Sequence, residues 1–265
     1  MKIGFIGAGK MGGAILKGLV ESGFVSKDNI IVSETTEEFA QKISKEYGVK
    51  TVTDNNELVK NVDVVILCTK PFVVKEVLEG VKNSFESSKL LISIAAGIST
   101  STMENILENI PVIRVMPNTP AFLSKGMTVL SKGKYANESQ LEFAREIFSK
   151  VGKAVILPEN LIDAATGISG SGPAFFYLVI EALAKGGEKL GLDTATALEL
   201  SAQTAIGAAE MILQTGKSPE ILRKEVTTPG GCTEVGLNVL SDAKAFEIFE
   251  ETVAATAKKA TELGK

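Results

Sequence analysis

Three glycines stand in the order Gly7-Ala8-Gly9-Lys10-Met11-Gly12, directly after the apolar run Ile3-Gly4-Phe5-Ile6. A buried strand that ends in such a turn and feeds a helix is built to hold an anion. The first glycine allows the tight turn, the second lets the backbone approach a pyrophosphate, and the third lets the helix pack on the strand. Free N–H groups at the helix start supply the donors. The dinucleotide fingerprint also needs an acidic residue about twenty positions on, at the end of a second strand. Glu34 fills that place. Ile6, Gly7, Ala8, Gly9, Lys10, Met11 and Gly12 are therefore expected to contact a dinucleotide, with Ser33, Glu34 and Asn55 beside its ribose.

The type of dinucleotide stays open at this level. Glu34 favours the 2'-hydroxyl of NADH and repels the 2'-phosphate of NADPH. The hydroxyls of Ser33, Thr35 and Thr36, near another helix start, suit a phosphate. Ligands of doubly wound sheets bind outside the carboxyl ends of the strands. The turns Cys68-Thr69-Lys70-Pro71 and Ala95-Ala96-Gly97, with Asn118 in Met116-Pro117-Asn118-Thr119-Pro120, should thus line the cofactor. Ordinary turn chemistry accounts for the same residue types.

A second anion cradle is written into Thr227-Thr228-Pro229-Gly230-Gly231-Cys232-Thr233, which precedes a helical pattern with Val235, Val239 and Leu240 on one side. Paired glycines let consecutive N–H groups converge, and the helix start adds partial positive charge, a combination suited to a carboxylate or phosphate. Thr228, Gly230, Gly231, Cys232 and Thr233 are the expected contacts, although a hinge between helices explains the spacing equally well.

Composition narrows the chemistry further. The chain has no histidine, which removes the usual base near neutral pH and every Ser-His or Cys-His pair. Cys232 therefore lacks a partner that would make it a nucleophile, and a cofactor is expected to carry the reaction. No histidine or cysteine cluster suggests a metal. The formal net charge of -4 offers no field for nucleic acid or anionic lipid. Two distant cysteines imply a reducing, cytoplasmic setting without disulfides. No uninterrupted apolar run approaches a membrane span, since the run from Ala174 stops at Glu181.

These residues need elements to position them. Short apolar runs at 2–6, 29–32, 49–52, 62–68, 90–95 and 112–116 alternate with helical patterns, which predicts a mostly parallel, doubly wound sheet. Runs at 127–130 and 153–157, flanking a helix from about Asn137, extend it. After Pro158 the pattern turns helical and rich in alanine. The expected division is a dinucleotide-binding domain over 1–160 and an all-α domain over 161–265. The helix at 174–184 is apolar nearly all round and is expected to be buried on every side. Asp193 or Thr194 should cap the next helix, with capping-box spacing at Thr196 and Glu199.

Taken together, the motifs resemble pyrroline-5-carboxylate reductase over essentially the whole chain. They are the glycine turn from Ile3 to Gly12, Lys70-Pro71, Ser93-Ile94-Ala95-Ala96-Gly97, Arg114 to Pro120, Gly170-Ser171-Gly172-Pro173-Ala174 and Pro229 to Thr233. The resemblance implies reduction of the cyclic imine L-Δ1-pyrroline-5-carboxylate to L-proline with NADPH or NADH. It also implies a homodimer through the helical domain, assembled further into a decamer. Glu34 departs from the small polar residue common at its position, and Thr228 from a serine. On this reading the amides of Gly230 to Thr233 hold the substrate carboxylate, and the Thr233 hydroxyl donates to the ring nitrogen as its amine character develops. Two alternatives stand beside it. A β-hydroxyacid dehydrogenase would need a lysine where Phe176 stands and an asparagine where Ile180 stands. A non-catalytic NAD(P) sensor would share the same fold.

Overall fold

Strands buried on both faces read as unbroken hydrophobic runs, and such runs form the centre of a parallel sheet. In the computed structural model, which describes residues 1–263, β1 (Ile3–Ile6), β4 (Val64–Leu67) and β5 (Leu90–Ser93) are buried at every position. With β2 (Ile30–Ser33), β3 (Lys50–Val52) and β6 (Val112–Met116) they form a parallel sheet in the order β3-β2-β1-β4-β5-β6. Two strands extend it, β7 (Gly126–Lys132) antiparallel to β6 and β8 (Gly152–Ile156) parallel to β7. β7 reverses because a short 3-10 turn at Thr119–Leu123 joins it to β6 where a crossover helix would otherwise run.

Alternate side chains of each strand enter opposite layers. Ile3, Phe5, Val64 and Ile66 pack with Ile15 and Leu19 of α1 (Lys10–Glu21) and with Leu141 and Phe148 of α6 (Glu138–Ser149). Ile43 of α2 (Glu37–Tyr47) joins the same layer. Ile6, Val65 and Leu67 pack against the other one. It holds Leu58 of α3 (Asn55–Lys60), Leu78 of α4 (Val74–Val81) and Met103 of α5 (Thr100–Leu107). Each fully buried aliphatic side chain is worth ~1.5–3 kcal/mol. A slip of one residue would invert a whole strand's faces, so the layers fix where each strand ends.

Local signals place the helices on these strands. The Thr36 hydroxyl caps α2 by accepting the Phe39 N–H, and Gly48 closes it at φ 70°. Asn137 and Gln140 form a full capping box on α6, at the start the sequence predicts.

The described residues divide into two compact units, one of residues 1–171 with 254–263 and the other of 172–253. The second is all helical: α8 (Gly172–Lys189), α9 (Thr194–Thr215), α10 (Pro219–Glu225), α11 (Cys232–Asp242) and α12 (Ala245–Leu263) as far as Val253. The first unit's long segment closes with α7 (Ile162–Ala165) and a π-helical turn at Thr166–Gly170. Asp193 is the cap of α9, accepting the Thr196 N–H at 3.0 Å; Thr196 and Glu199 lie inside the helix and form no box.

α8 is not enclosed by its own chain. Phe176, Tyr177, Leu178 and Leu183 are 59% to 65% exposed, and only Gly172 and Ala184 are buried. Val235, Val239, Phe246 and Phe249 are exposed as well. One chain supplies too few helices to surround an apolar cylinder. Glu159–Lys189 is also, among the described residues, one helical stretch long and apolar enough by length and composition alone to cross a membrane, with mean hydropathy 1.3. The interruption at Glu181 does not remove that property.

Candidate functional site

The strand register brings the predicted residues to one edge of the sheet. Ile6 pairs with Ser33 of β2 and Leu67 of β4, so the turns that follow start side by side at the point where strand order reverses. The Gly7 N–H donates to the Ser33 carbonyl and the Cys68 N–H to the Ile6 carbonyl, which ties the three turns together. Ala95, Ala96 and Gly97 begin at the next strand end, where the Ile94 N–H donates to the Leu67 carbonyl. Lys70 precedes a 3-10 turn at Pro71–Val73.

Gly7 turns at φ 83°, a conformation open to few residues with a side chain. A Cβ at Gly12 would lie 2.8 Å from the Gly7 carbonyl oxygen and 2.9 Å from the Cys68 Cβ. The glycine turn thus closes on the turn after β4 with no room for a methyl group. At Gly9 a Cβ would meet no protein atom within 4 Å.

α1 begins with its donors bare. Gly9 gives no side-chain cap, and the first turn holds no acidic residue. The amides of Lys10, Met11 and Gly12 have no carbonyl four residues back within the helix, which leaves a preformed anion site. The Thr69 hydroxyl, at the end of β4, is buried without a partner, one of two such side-chain atoms among the described residues. A bare helix start and an orphaned hydroxyl on one sheet edge fit a bound dinucleotide. A cleft of about 390 Å³ continues from the turn, lined by Lys10, Glu34, Phe39, Lys42, Ile43 and Tyr47. Its apolar rings suit a base, and none of Phe39, Lys42 and Tyr47 is marked by any motif.

The acidic residue is held in place. Glu34 Oε1 accepts the Ala8 N–H at 2.6 Å, so the carboxylate lies over the glycine turn. Ser33, 2% exposed, donates its hydroxyl to Asn55 Oδ1 at 2.7 Å. Burial pushes the Cys68 thiol far above its ordinary range, and the Glu34 charge adds to the effect. Cys68 is therefore a neutral wall of the turn.

Asn118, expected beside the cofactor, is held within the protein on both sides of its amide. Its Nδ2 donates to the Ser169 carbonyl at 2.9 Å, and its Oδ1 accepts the Met127 N–H at 2.8 Å. In a continuing α-helix the Ser169 carbonyl would accept from residue 173, which is a proline without an N–H. Asn118 supplies the missing donor. The nearby Arg114, 6% exposed, pairs with Asp163 at 2.7 Å and with Glu159 at 3.5 Å. Glu159 also accepts the amide and hydroxyl of Thr100. This network fastens β6, α5 and α7, and no spacing in the sequence announces it.

The second cradle lies in the helical unit. Two of its four amides are engaged. The Gly231 N–H donates to the Thr228 carbonyl at 2.9 Å, and the Gly230 N–H donates to Glu234 Oε2 at 2.8 Å. The amides of Cys232 and Thr233 open α11, where helix geometry gives them no carbonyl partner. Cys232 is exposed and free, and Thr233 is half-buried. The loop thus holds one carboxylate, that of its own Glu234, through the Gly230 amide.

Sheet order, bare glycine turn and acid at the end of β2 define a dinucleotide-binding oxidoreductase of the Rossmann type. Comparison with known proteins narrows this. Residues 159–263 match the family model described as pyrroline-5-carboxylate reductase dimerisation, and residues 2–97 match NADP oxidoreductase coenzyme F420-dependent. A pyrroline-5-carboxylate reductase of Methanosarcina acetivorans is 45% identical over 100% of this chain and 98% of its own length. The structure of a pyrroline-5-carboxylate reductase from Coxiella burnetii, 36% identical, superposes with a TM-score of 0.93 over 100% of this chain and 98% of that one. The Plasmodium falciparum pyrroline carboxylate reductase with NADP bound, 30% identical, gives 0.90 over the same shares. The chain belongs to the pyrroline-5-carboxylate reductase family.

Proposed function

We infer that the chain reduces L-Δ1-pyrroline-5-carboxylate to L-proline with a reduced nicotinamide dinucleotide, the closing step of proline biosynthesis. The observation that carries this is the uncapped start of α1 beneath the Gly7–Gly12 turn, in a chain of this family. When bound, the nicotinamide supplies hydride to an imine carbon. The amides of Lys10 to Gly12 would hold the pyrophosphate, and the Thr69 hydroxyl and the Ala95–Gly97 turn would line the rest of the cofactor. In the helical unit, Cys232 and Thr233 would give the substrate carboxylate their amides, with Thr228, Gly230 and Gly231 shaping the loop. The Thr233 hydroxyl would donate to the ring nitrogen, an electrostatic role that needs no histidine.

We further propose that a second copy of the chain covers the exposed apolar faces of α8, α11 and α12, giving a homodimer that can assemble to a decamer. Two free, widely separated cysteines accord with a cytoplasmic setting. The functional division is placed near residue 160. The kinetic test is Thr233→Ala, which should lower kcat/KM for the imine by about tenfold or more, with dinucleotide affinity unchanged and activity regained in Thr233→Ser. An unaltered rate would remove the assignment.

A further inference from the structure

NADH and NADPH differ only at the adenosine 2'-position, a hydroxyl in one and a phosphate in the other. Glu34 follows β2, where the ribose is met in folds of this order. Its carboxylate is not free to swing away, because the Ala8 N–H holds Oε1 at 2.6 Å. The second oxygen remains to accept a hydrogen bond.

Of the three hydroxyls suited to a phosphate, Thr35 lines the cleft, while those of Ser33 and Thr36 are engaged within the protein. The Ser33 hydroxyl is buried and donates to Asn55. Thr36 Oγ1 accepts the Phe39 N–H as the cap of α2, and the Glu34 amide donates to the Val52 carbonyl. The first turn of α2 carries Glu37 and Glu38, which already use the favourable field of that helix start. The chain's arginines are Arg114, Arg145 and Arg223, none of them near β2 or α2 in sequence. Lys10 and Lys42 line the cleft, but Glu34 and Glu46 line it too.

We propose that Glu34 makes this chain prefer NADH to NADPH, by accepting a hydrogen bond from the ribose hydroxyl and repelling a 2'-phosphate. This rests on the reductase reading above, and it assigns a preference opposite to the cofactor held by the Plasmodium relative.

Calorimetric titration of the full chain with NADH and NADPH, beside steady-state rates with each, tests it. The wild type should bind NADH at least about tenfold more tightly. Glu34→Gln keeps an acceptor for the Ala8 N–H but loses the charge, and should relieve most of the discrimination against NADPH. Glu34→Ser should bring the two affinities together or invert them. Equal or tighter NADPH binding by the wild type would overturn the proposal, as would an unchanged affinity ratio in both folded variants. Selective NADH binding without turnover of the imine would sink the reductase reading alone.

Discussion

Removing the Asn118 side chain should loosen two elements at once. Asn118 is 8% exposed, and in Asn118→Ala the Met127 N–H loses its acceptor while the Ser169 carbonyl loses its donor. An orphaned buried polar group costs about 1–3 kcal/mol. Met127 and Ser169 are half-buried, so water recovers part of that, and a loss of about 2–3 kcal/mol is expected for the pair. Thermal unfolding gives the total, and hydrogen exchange at the Met127 amide gives the local part, which should accelerate ahead of the sheet centre. Pro173→Ala restores an N–H at the position that α-helical geometry assigns to the Ser169 carbonyl. In that background Asn118→Ala should cost about 1 kcal/mol less. Unchanged protection at Met127, or strict additivity of the two substitutions, would refute the reasoning.

Two further substitutions separate packing from binding, and a third tests the cleft. Gly12→Ala forces a methyl against the Gly7 carbonyl and Cys68, so melting should show a loss of about 1–3 kcal/mol together with lost dinucleotide affinity. Gly9→Ala meets no protein atom within 4 Å and should leave stability unchanged while calorimetry shows weakened dinucleotide binding. Burial, aided by the neighbouring Glu46 carboxylate, raises the Tyr47 pKa from 10.0 to about 12. The folded state then holds the proton that the unfolded chain loses, so this contribution is full below 10.0 and fades as pH rises toward 12. Melting temperatures of wild type and Tyr47→Phe across that range should show a shallower alkaline decline in the variant.

The sheet was readable from sequence because Ile3–Ile6, Val64–Leu67 and Leu90–Ser93 are apolar at nearly every position and lie next to turn residues. The glycine turn was readable for the same local reason, and Glu34 from its distance along the chain. What Glu34 does with its carboxylate was not, since the partner is a backbone amide brought close only by the β1–β2 register. Ser33, Thr35 and Thr36 suggested a phosphate by their hydroxyls; folding directs Ser33 to Asn55 and Thr36 to a helix cap, and leaves Thr35 on the cleft wall. Asn118 looked like a cofactor contact or a plain turn residue. The clue to its task lay at Pro173, which lacks the N–H that α-helical geometry would offer the Ser169 carbonyl, yet only the tertiary structure shows that Asn118 donates there. The all-round apolar character of α8 was legible, but its burial is not a property of a single chain.

The most direct measurement is product analysis after mixing the protein with reduced nicotinamide dinucleotide and L-Δ1-pyrroline-5-carboxylate. One L-proline should form for each dinucleotide oxidised. Tight dinucleotide binding with neither oxidation nor proline, under conditions where a family member turns over, would contradict it.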